Sequence, residues 1–381
     1  MDRITIGIAA GGLASFALLY APQPVLPQLA HQFQVTLDQA SLVVGVATGA
    51  LALGVIPLSL LSEVAGRRPV VLLSVVVAIV LGLVLPFVSD FHLLVGLRAL
   101  QGLALAGFPA VAMAYLAEQG RVKAIGMLVA GNTFGGMVGR LAAGLTGSTA
   151  PVAILAAAAA GVLIWALPRN AEQTTTRAGI SLSSAVRRPI LWALYAVAFL
   201  GMGSFVALYN AIGFRLAAPP LEVSPQVASL VFVAYAIGGV NSATLGRRAG
   251  RQKVLFGMLG LTTAGALITI PAHVVPIAIG FVLLTAGWFA AHAAAGAWVN
   301  VVAPHKGPAS GLYTGAYYAG ASVGGTAGTA VYAAWGWTVL VSVSVCWLSL
   351  SASGVWWISR RRKTLSSAKN LSRNTGAPLA R

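Results

Sequence analysis

Long apolar runs separated by short polar stretches recur from one end of the chain to the other. Each run reaches the roughly 17–25 residues that a helix needs to cross a bilayer. The pattern predicts spans over 4–27, 40–62, 69–88, 91–117, 121–147 and 149–167. A polar stretch, PRNAEQTTTRAGISLSSAVRRP, separates these from a second set over 189–214, 226–246, 253–272, 274–300, 306–334 and 336–358. The apolar part of the first run is longer than the 7–15 residues of a typical signal-peptide core, so it is read as a retained span. An even number of crossings puts both termini on one side. The expected organisation is a six-helix half at 1–168, a linker at 169–188, a second half at 189–359 and a basic tail at 360–381.

Composition agrees with an integral membrane protein. Of 381 residues, 58% are hydrophobic and 8% charged, against about 25% charged in soluble domains. A net charge of +17 would suggest nucleic acid in a soluble protein, but here the charges are scattered over loops and one tail. Placing the termini in the cytoplasm puts all of the 24 basic residues there except Arg98, Arg140 and Arg215. That bias is the positive-inside rule, with anionic lipid as a further contribution. The lipid bilayer is therefore an expected partner and nucleic acid is not. The lone Cys346 offers neither a disulfide framework nor a thiolate metal site. No metal cluster, nucleophile constellation or nucleotide loop appears, so no catalytic residue, metal or cofactor is expected, and no enzyme.

The two halves share short matches in the same order. GGMVGR at 135–140 has a counterpart in GGTAGT at 324–329, EVAGRR at 63–68 in RRAGRQ at 247–252, and QGLALAG at 101–107 in AGWFAAH at 286–292. Parallel repeats of this kind suit a transporter whose halves rock about a central site.

These motifs give the chain a resemblance to the major facilitator superfamily. Gly66, Arg67 and Arg68 match the Gly-Arg-Arg turn after span 2, while Ser59, Glu63 and Val64 stand where the family usually has Gly, Asp and Arg. RALQG at 98–102 matches the Arg-x-x-Gln-Gly motif of span 4. GNTFGGMVGR at 131–140 resembles the span-5 motif of the antiporter branch, G-x-x-x-G-P-x-x-G-G, with Gly136 in place of Pro and Arg140 in place of the last Gly. The resemblance implies twelve transmembrane helices in two pseudo-symmetric halves around a central cavity. It is nearest to the drug and metabolite:proton efflux group of bacterial inner membranes. It also implies a cytoplasmic latch between the halves, formed by Glu63, Gly66, Arg67 and Arg68, with Gly250 and Arg251 in the second copy.

The glycines have a packing explanation, because G-x-x-x-G spacing creates a flat face for close helix contact in lipid. Gly131, Gly135 and Gly139 carry it in span 5, and Gly320, Gly324 and Gly328 repeat it in span 11. The resemblance points to spans 8 and 2 as their neighbours. Arg98 and Arg140 lie about seven residues, roughly 10 Å, inside the outer face of their spans. An intramembrane charge needs a wet cavity or a partner; the alternative is snorkelling to the interface. Two arginines at one depth suggest the basic wall of a central cavity, with Gln101 beside them.

The seven acids, Asp2, Asp38, Glu63, Asp90, Glu118, Glu172 and Glu222, all fall at span ends or in loops. His292 is the remaining titratable group near mid-span, either as a coupling residue or as a hydrogen-bonded packing residue. Tyr20, Gln23, Asn210 and Tyr209 add polar contacts, and Pro22, Pro24 and Pro27 kink or end the first helix. The expected function is proton-coupled export of a small organic solute by a monomeric transporter working through alternating access. An organic-anion carrier is the second reading, and a channel or receptor a third.

Overall fold

The computed structural model describes residues 2–121, 124–168, 185–238 and 250–375, and these are helical with no strand. The helices make twelve segments that run up and down between a near end, where Arg3 lies, and a far end. In chain order α1 is Arg3–Phe33, α2 Leu37–Ala65, α3 Arg67–Phe87 and α4 residues 91–118. Then come α5 Ile125–Thr146, α6 Ala150–Ala166 and α7 Pro189–Ala217. The remainder are α8 at 225–238, α9 Arg251–Ile268 and α10 Val274–Val302. A single helical run, Lys306–Thr375, is divided by Gly336, whose φ of 77° is not helical, into α11 (306–335) and α12 (337–375). Seven stretches of the described residues are long and apolar enough to cross a membrane, the 55-residue Lys306–Arg360 among them.

Element ends follow local chemistry. Asp2 caps α1, accepting from the Thr5 amide at 3.1 Å and the Thr5 hydroxyl at 3.0 Å. The Thr5 amide outweighs the opposing effect of burial and, helped by the Thr5 hydroxyl and by Arg121 2.7 Å away, holds the Asp2 carboxyl below its ordinary value. Thr36 and Gln39 form a capping box at the start of α2. In α1 the helix stops at Tyr20, passes through a 3-10 turn at Gln23–Val25 and resumes over Leu26–Phe33, so the prolines break the span without ending it.

Three other segments differ from the sequence pattern. The span expected at 91–117 is interrupted between Leu105 and Pro109, because Pro109 has no N–H to donate to the Leu105 carbonyl; Phe108 donates to it instead, at 3.0 Å. The eighth span opens with one α turn and a 3-10 stretch, Ser229–Ala234, and its predicted remainder after 238 lies outside the described residues. So does most of the linker, 169–184. The tail expected from 360 continues the α12 helix to Thr375.

α1 and α7 are the most enclosed spans, 72% and 78% buried, against 33% for Lys306–Arg360. They form the centre of the molecule, and the glycine faces explain how. A Cβ at Gly131, Gly135 or Gly139 would overlap Ala9, Leu13 or Ala17 of α1, and one at Gly320, Gly324 or Gly328 would overlap Phe199, Gly203 or Ala207 of α7. These glycine faces therefore meet α1 and α7, within each half, while the expected α8 and α2 pack on α5 and α11 at other positions. Spacing reveals that a flat face exists, but the partner depends on which side of the helix faces its own half.

The halves meet through other positions. Gly49 of α2 lies against Ser322 of α11, where an added Cβ would be 2.8 Å from its hydroxyl, and Gly45 lies against Thr326. Gly144 of α5 touches Ser229 of α8. Toward the near end the same α2–α11 crossing is looser: an added Cβ on Gly311 would still be 3.7 Å from Ile56, and one on Gly315 3.8 Å from Ala52.

Candidate functional site

Pro22 and Pro24 cannot donate to the Leu18 and Tyr20 carbonyls, and buried carbonyls need partners. Arg98 of α4 supplies donors at this break. Its Nη1 donates to Leu18 O at 3.1 Å, its Nη2 to Leu19 O at 2.6 Å and its Nε to Val43 O at 2.8 Å. Nη1 also donates to Gln101 Oε1, and Gln101 Nε2 donates to Ala78 O at 2.7 Å. Gly102 completes the motif, since a Cβ there would overlap the Ala47 backbone. RALQG thus ties α1, α2, α3 and α4 together. Arg98 was expected to stand beside Arg140 as a cavity wall; it borders a cleft without Arg140, its donors are taken up by backbone oxygens and Gln101, and it is 1% exposed. A cleft of about 100 Å³ passes beside it toward the far end, lined also by Pro22, Gln28 and Leu29.

Arg140 is held differently. Its Nε donates to Gln23 Oε1 at 2.6 Å and its Nη1 to Gly136 O at 2.7 Å. Gly136 is one turn back toward the near end, so the guanidinium turns away from the far interface and does not snorkel. Its carbon lies 4.2 Å from the ring centre of Tyr20, 4.3 Å from that of Tyr235 and 5.6 Å from that of Phe232. Ring faces attract a cation, by about 2 kcal/mol or more where water is excluded. The three ion pairs among the described residues lie at the near end and involve Arg67 and Arg121.

The same cluster crosses between the halves. Gln23 Nε2 donates to Asn210 Oδ1 on α7 at 2.7 Å, while Phe232 and Tyr235 come from α8. Beyond them Tyr209 bonds Thr285 of α10 at 2.6 Å. The Tyr20 hydroxyl and Asn210 Nδ2 are buried without partners.

His292 sits nearer the near end of α10. Its Nδ1 lies 3.0 Å from the Tyr313 hydroxyl, which also reaches the His292 carbonyl at 3.1 Å. A hydroxyl proton directed at the carbonyl leaves Nδ1 as the donor to Tyr313 and Nε2 as the free base. Tyr317, at 4.5 Å between ring centres, and Trp288, at 6.0 Å, pack on the imidazole. Phe205 joins this group to the arginine cage by touching both Tyr235 and Trp288.

At the near end Gly66 and Gly250 adopt matching positive-φ turns, 94° and 82°, ahead of Arg67 and Arg251, which places the repeat in the backbone itself. Arg67 pairs with Glu118 at 3.0 Å and Glu63 at 3.8 Å, and donates to Ser62 Oγ at 2.5 Å. Arg68 reaches Leu167 O at 3.4 Å. Among the described residues these partners belong to α2, α4 and the end of α6, so these bonds brace the first half. Arg247 and Arg248 lie outside the described residues.

A sequence model of the Major Facilitator Superfamily matches residues 8–221. The chain belongs to the Major Facilitator Superfamily. The MFS-type transporter YybF of Bacillus subtilis (strain 168) is 35% identical to it over 361 residues, covering 90% of this chain and 89% of that one. The inner membrane transport protein YnfM of Escherichia coli (strain K12) is 35% identical over 355 residues, 88% and 85% of the two chains. A probable sugar efflux transporter of Pasteurella multocida (strain Pm70) is 26% identical over 345 residues, 86% and 84%. Among solved structures the nucleoside transporter NupG superposes with a TM-score of 0.74 at 12% identity, over 93% of this chain and 99% of that one. The human organic anion transporter MFSD10 does so with 0.69 at 17%, over the same shares. These likenesses establish the fold, and the relatives in sequence are transporters. The chain is a multi-pass membrane transporter of this superfamily.

Sequence reasoning left out Phe232, Tyr235, Trp288, Tyr313 and Tyr317. A signal was present, because the aromatic residues of LYTGAYYAG on α11 and of GWFAAH on α10 lie within a helical turn or two of each other. Single apolar helices hide it, since an aromatic residue reads as lipid-facing or core until its neighbours are known.

Proposed function

We propose that this transporter works by alternating access and exports a small organic solute in exchange for protons across the bacterial inner membrane. The near end is then cytoplasmic and the far end outer, both termini are cytoplasmic as the basic loops favour, and the working unit is a monomer. Residues 1–168 and 189–359 are the moving halves, with 169–188 as their tether and 360–381 as a basic extension. The observation that carries this reading is the polar thread from Arg140 through Gln23 to Asn210. It joins the first half to the second at one point, so a ligand that engages it acts on both halves at once. Among the described residues the carboxylates lie at helix ends or in loops and none near mid-span, which leaves the proton to His292 or to the substrate itself.

A second reading, an organic-anion carrier, is favoured by Arg140, whose charge meets ring faces and two neutral oxygens instead of a carboxylate. Proteoliposomes loaded with a panel of neutral, cationic and anionic solutes, with and without an imposed pH gradient, test both. Solute efflux accelerated by protons entering supports export. Transport of anions alone, indifferent to the pH gradient, leaves the second reading in its place. Gradient-independent leakage of all solutes sinks both.

A further inference from the structure

We propose that Gln23 occupies the place of a substrate carboxylate, and that a carboxylate displacing it from Arg140 unlatches the outer end of the transporter. The proposal rests on the organic-anion reading and adds to it the ligand's chemistry and the moving part.

Four observations converge. First, the Gln23 amide oxygen receives the Arg140 Nε at 2.6 Å in a place where Gln23 is 1% exposed. An ionised oxygen makes a stronger bond to a guanidinium than a neutral amide does, so a carboxylate of suitable shape outcompetes it. Second, two polar groups in the same cluster have no partner, the Tyr20 hydroxyl and Asn210 Nδ2, although both residues are more than nine-tenths buried. Buried polar groups are nearly always satisfied, and these two donors, one on the ring facing Arg140 and one on the residue that holds Gln23, await an acceptor. Third, that acceptor must be small and its body flat and apolar, because Tyr20, Tyr235 and Phe232 already face the guanidinium and Tyr209 stacks on Phe232. An aromatic monocarboxylate satisfies both conditions.

The fourth observation supplies the movement. Gln23 Nε2 holds Asn210 Oδ1 across the halves at 2.7 Å. One turn further out the same two helices touch again, Pro27 of α1 lying 3.3 Å from where a Cβ on Gly213 of α7 would be. With its oxygen pushed off Arg140, Gln23 loses the bond that orients its amide toward α7. The α1–α7 crossing is then held by apolar contact only.

Cysteines placed at Pro27 and Gly213 in a Cys346→Ser background, in the full chain reconstituted in nanodiscs, report the outer crossing through their rate of oxidative crosslinking. Benzoate should slow that rate about tenfold, the effect of losing roughly one oriented hydrogen bond, and benzamide, its neutral isostere, should not. Gln23→Leu should be slow without ligand and indifferent to benzoate. Asn210→Ala cuts the thread from the other side and should also be slow without ligand, yet it should still bind radiolabelled benzoate through Arg140. Gln23→Glu places a carboxylate on Arg140 permanently; its second oxygen accepts from Asn210 once that amide turns to present its unpartnered Nδ2, so this variant should crosslink fast whether or not benzoate is present. Unchanged crosslinking with benzoate overturns the displacement idea even if Gln23→Leu opens the crossing. Wild-type rates in both Gln23→Leu and Asn210→Ala show a fixed strut and overturn the latch. Neither result touches the organic-anion reading, which the solute assays test separately.

Discussion

Arg98 and Arg140 carry the same charge at about the same depth and are employed differently. Arg98 stands in for amide donors at the α1 break, so its loss exposes buried carbonyls. Arg98→Gln should lower stability by about 3 kcal/mol or more, read as a fall in thermal midpoint in detergent. Unchanged stability with transport lost would return Arg98 to the substrate. Arg140 depends on one neighbour in particular. Gly136 and Arg140 are the two positions where the span-5 motif departs from the family pattern, and they meet in space: a Cβ on residue 136 would lie 2.9 Å from Arg140 Nη1. Gly136→Ala should therefore cut transport in the native background and have little further effect once Arg140→Gly is present. Additive losses in that double-mutant cycle would show the two sites to be independent. For His292, Gln keeps a polar side chain but cannot exchange protons, so His292→Gln should abolish pH-driven flux and leave solute exchange intact. Retained proton-driven flux would make the imidazole a packing group held by Tyr313. Hydropathy alone picked out all three residues. Gln101, Gln23, Tyr20 and Asn210 were legible as polar neighbours, but the other partners were not, because the carbonyls exist only where α1 breaks and Phe232 and Tyr235 come from α8, whose irregular start has no periodic signature.

At the scale of the helix, glycine spacing was legible and its direction was not. Gly131, Gly135 and Gly139 lock α5 to α1, as Gly320, Gly324 and Gly328 lock α11 to α7, so each pair moves as one body. Gly135→Leu should consequently impair folding itself, with loss of a monodisperse peak on size exclusion and a cost of several kcal/mol from overpacking and helix separation. Gly161 on α6 is a matched control, for nothing lies within 4 Å of a Cβ there. Gly161→Ala should be tolerated or slightly stabilising, by about 0.5–1 kcal/mol through helix propensity. Equal behaviour of the two variants would mean that the flat face is incidental. The prolines show the same division between what sequence tells and withholds. They announced a break in α1, but only the packed structure shows that the break admits Gln23 between the halves and leaves carbonyls for Arg98.

For the whole molecule, twelve apolar runs and a two-fold repeat made the fold legible, and the paired turns at Gly66 and Gly250 show the repeat surviving in backbone angles where the side chains have diverged. What the runs could not show is which faces of the two halves touch, since every face of such a helix is apolar. The touching faces are uneven. Gly49 of α2 meets Ser322 closely, whereas toward the near end a Cβ added to Gly311 or Gly315 would still be 3.7 Å from Ile56 or 3.8 Å from Ala52. Small residues continue along the looser stretch, which leaves α2 and α11 room to close there if the halves rock. Cysteines at Ile56 and Gly311 should then crosslink slowly in the resting protein and faster when the outer end opens. Crosslinking at Pro27 and Gly213 should change in the opposite sense, because one rigid rotation cannot close both ends at once. A crosslink at either pair should stop transport, and reduction should restore it. Should both pairs crosslink at rates that rise and fall together under every ligand and gradient, the halves breathe without rocking, and alternating access must be given up for this chain.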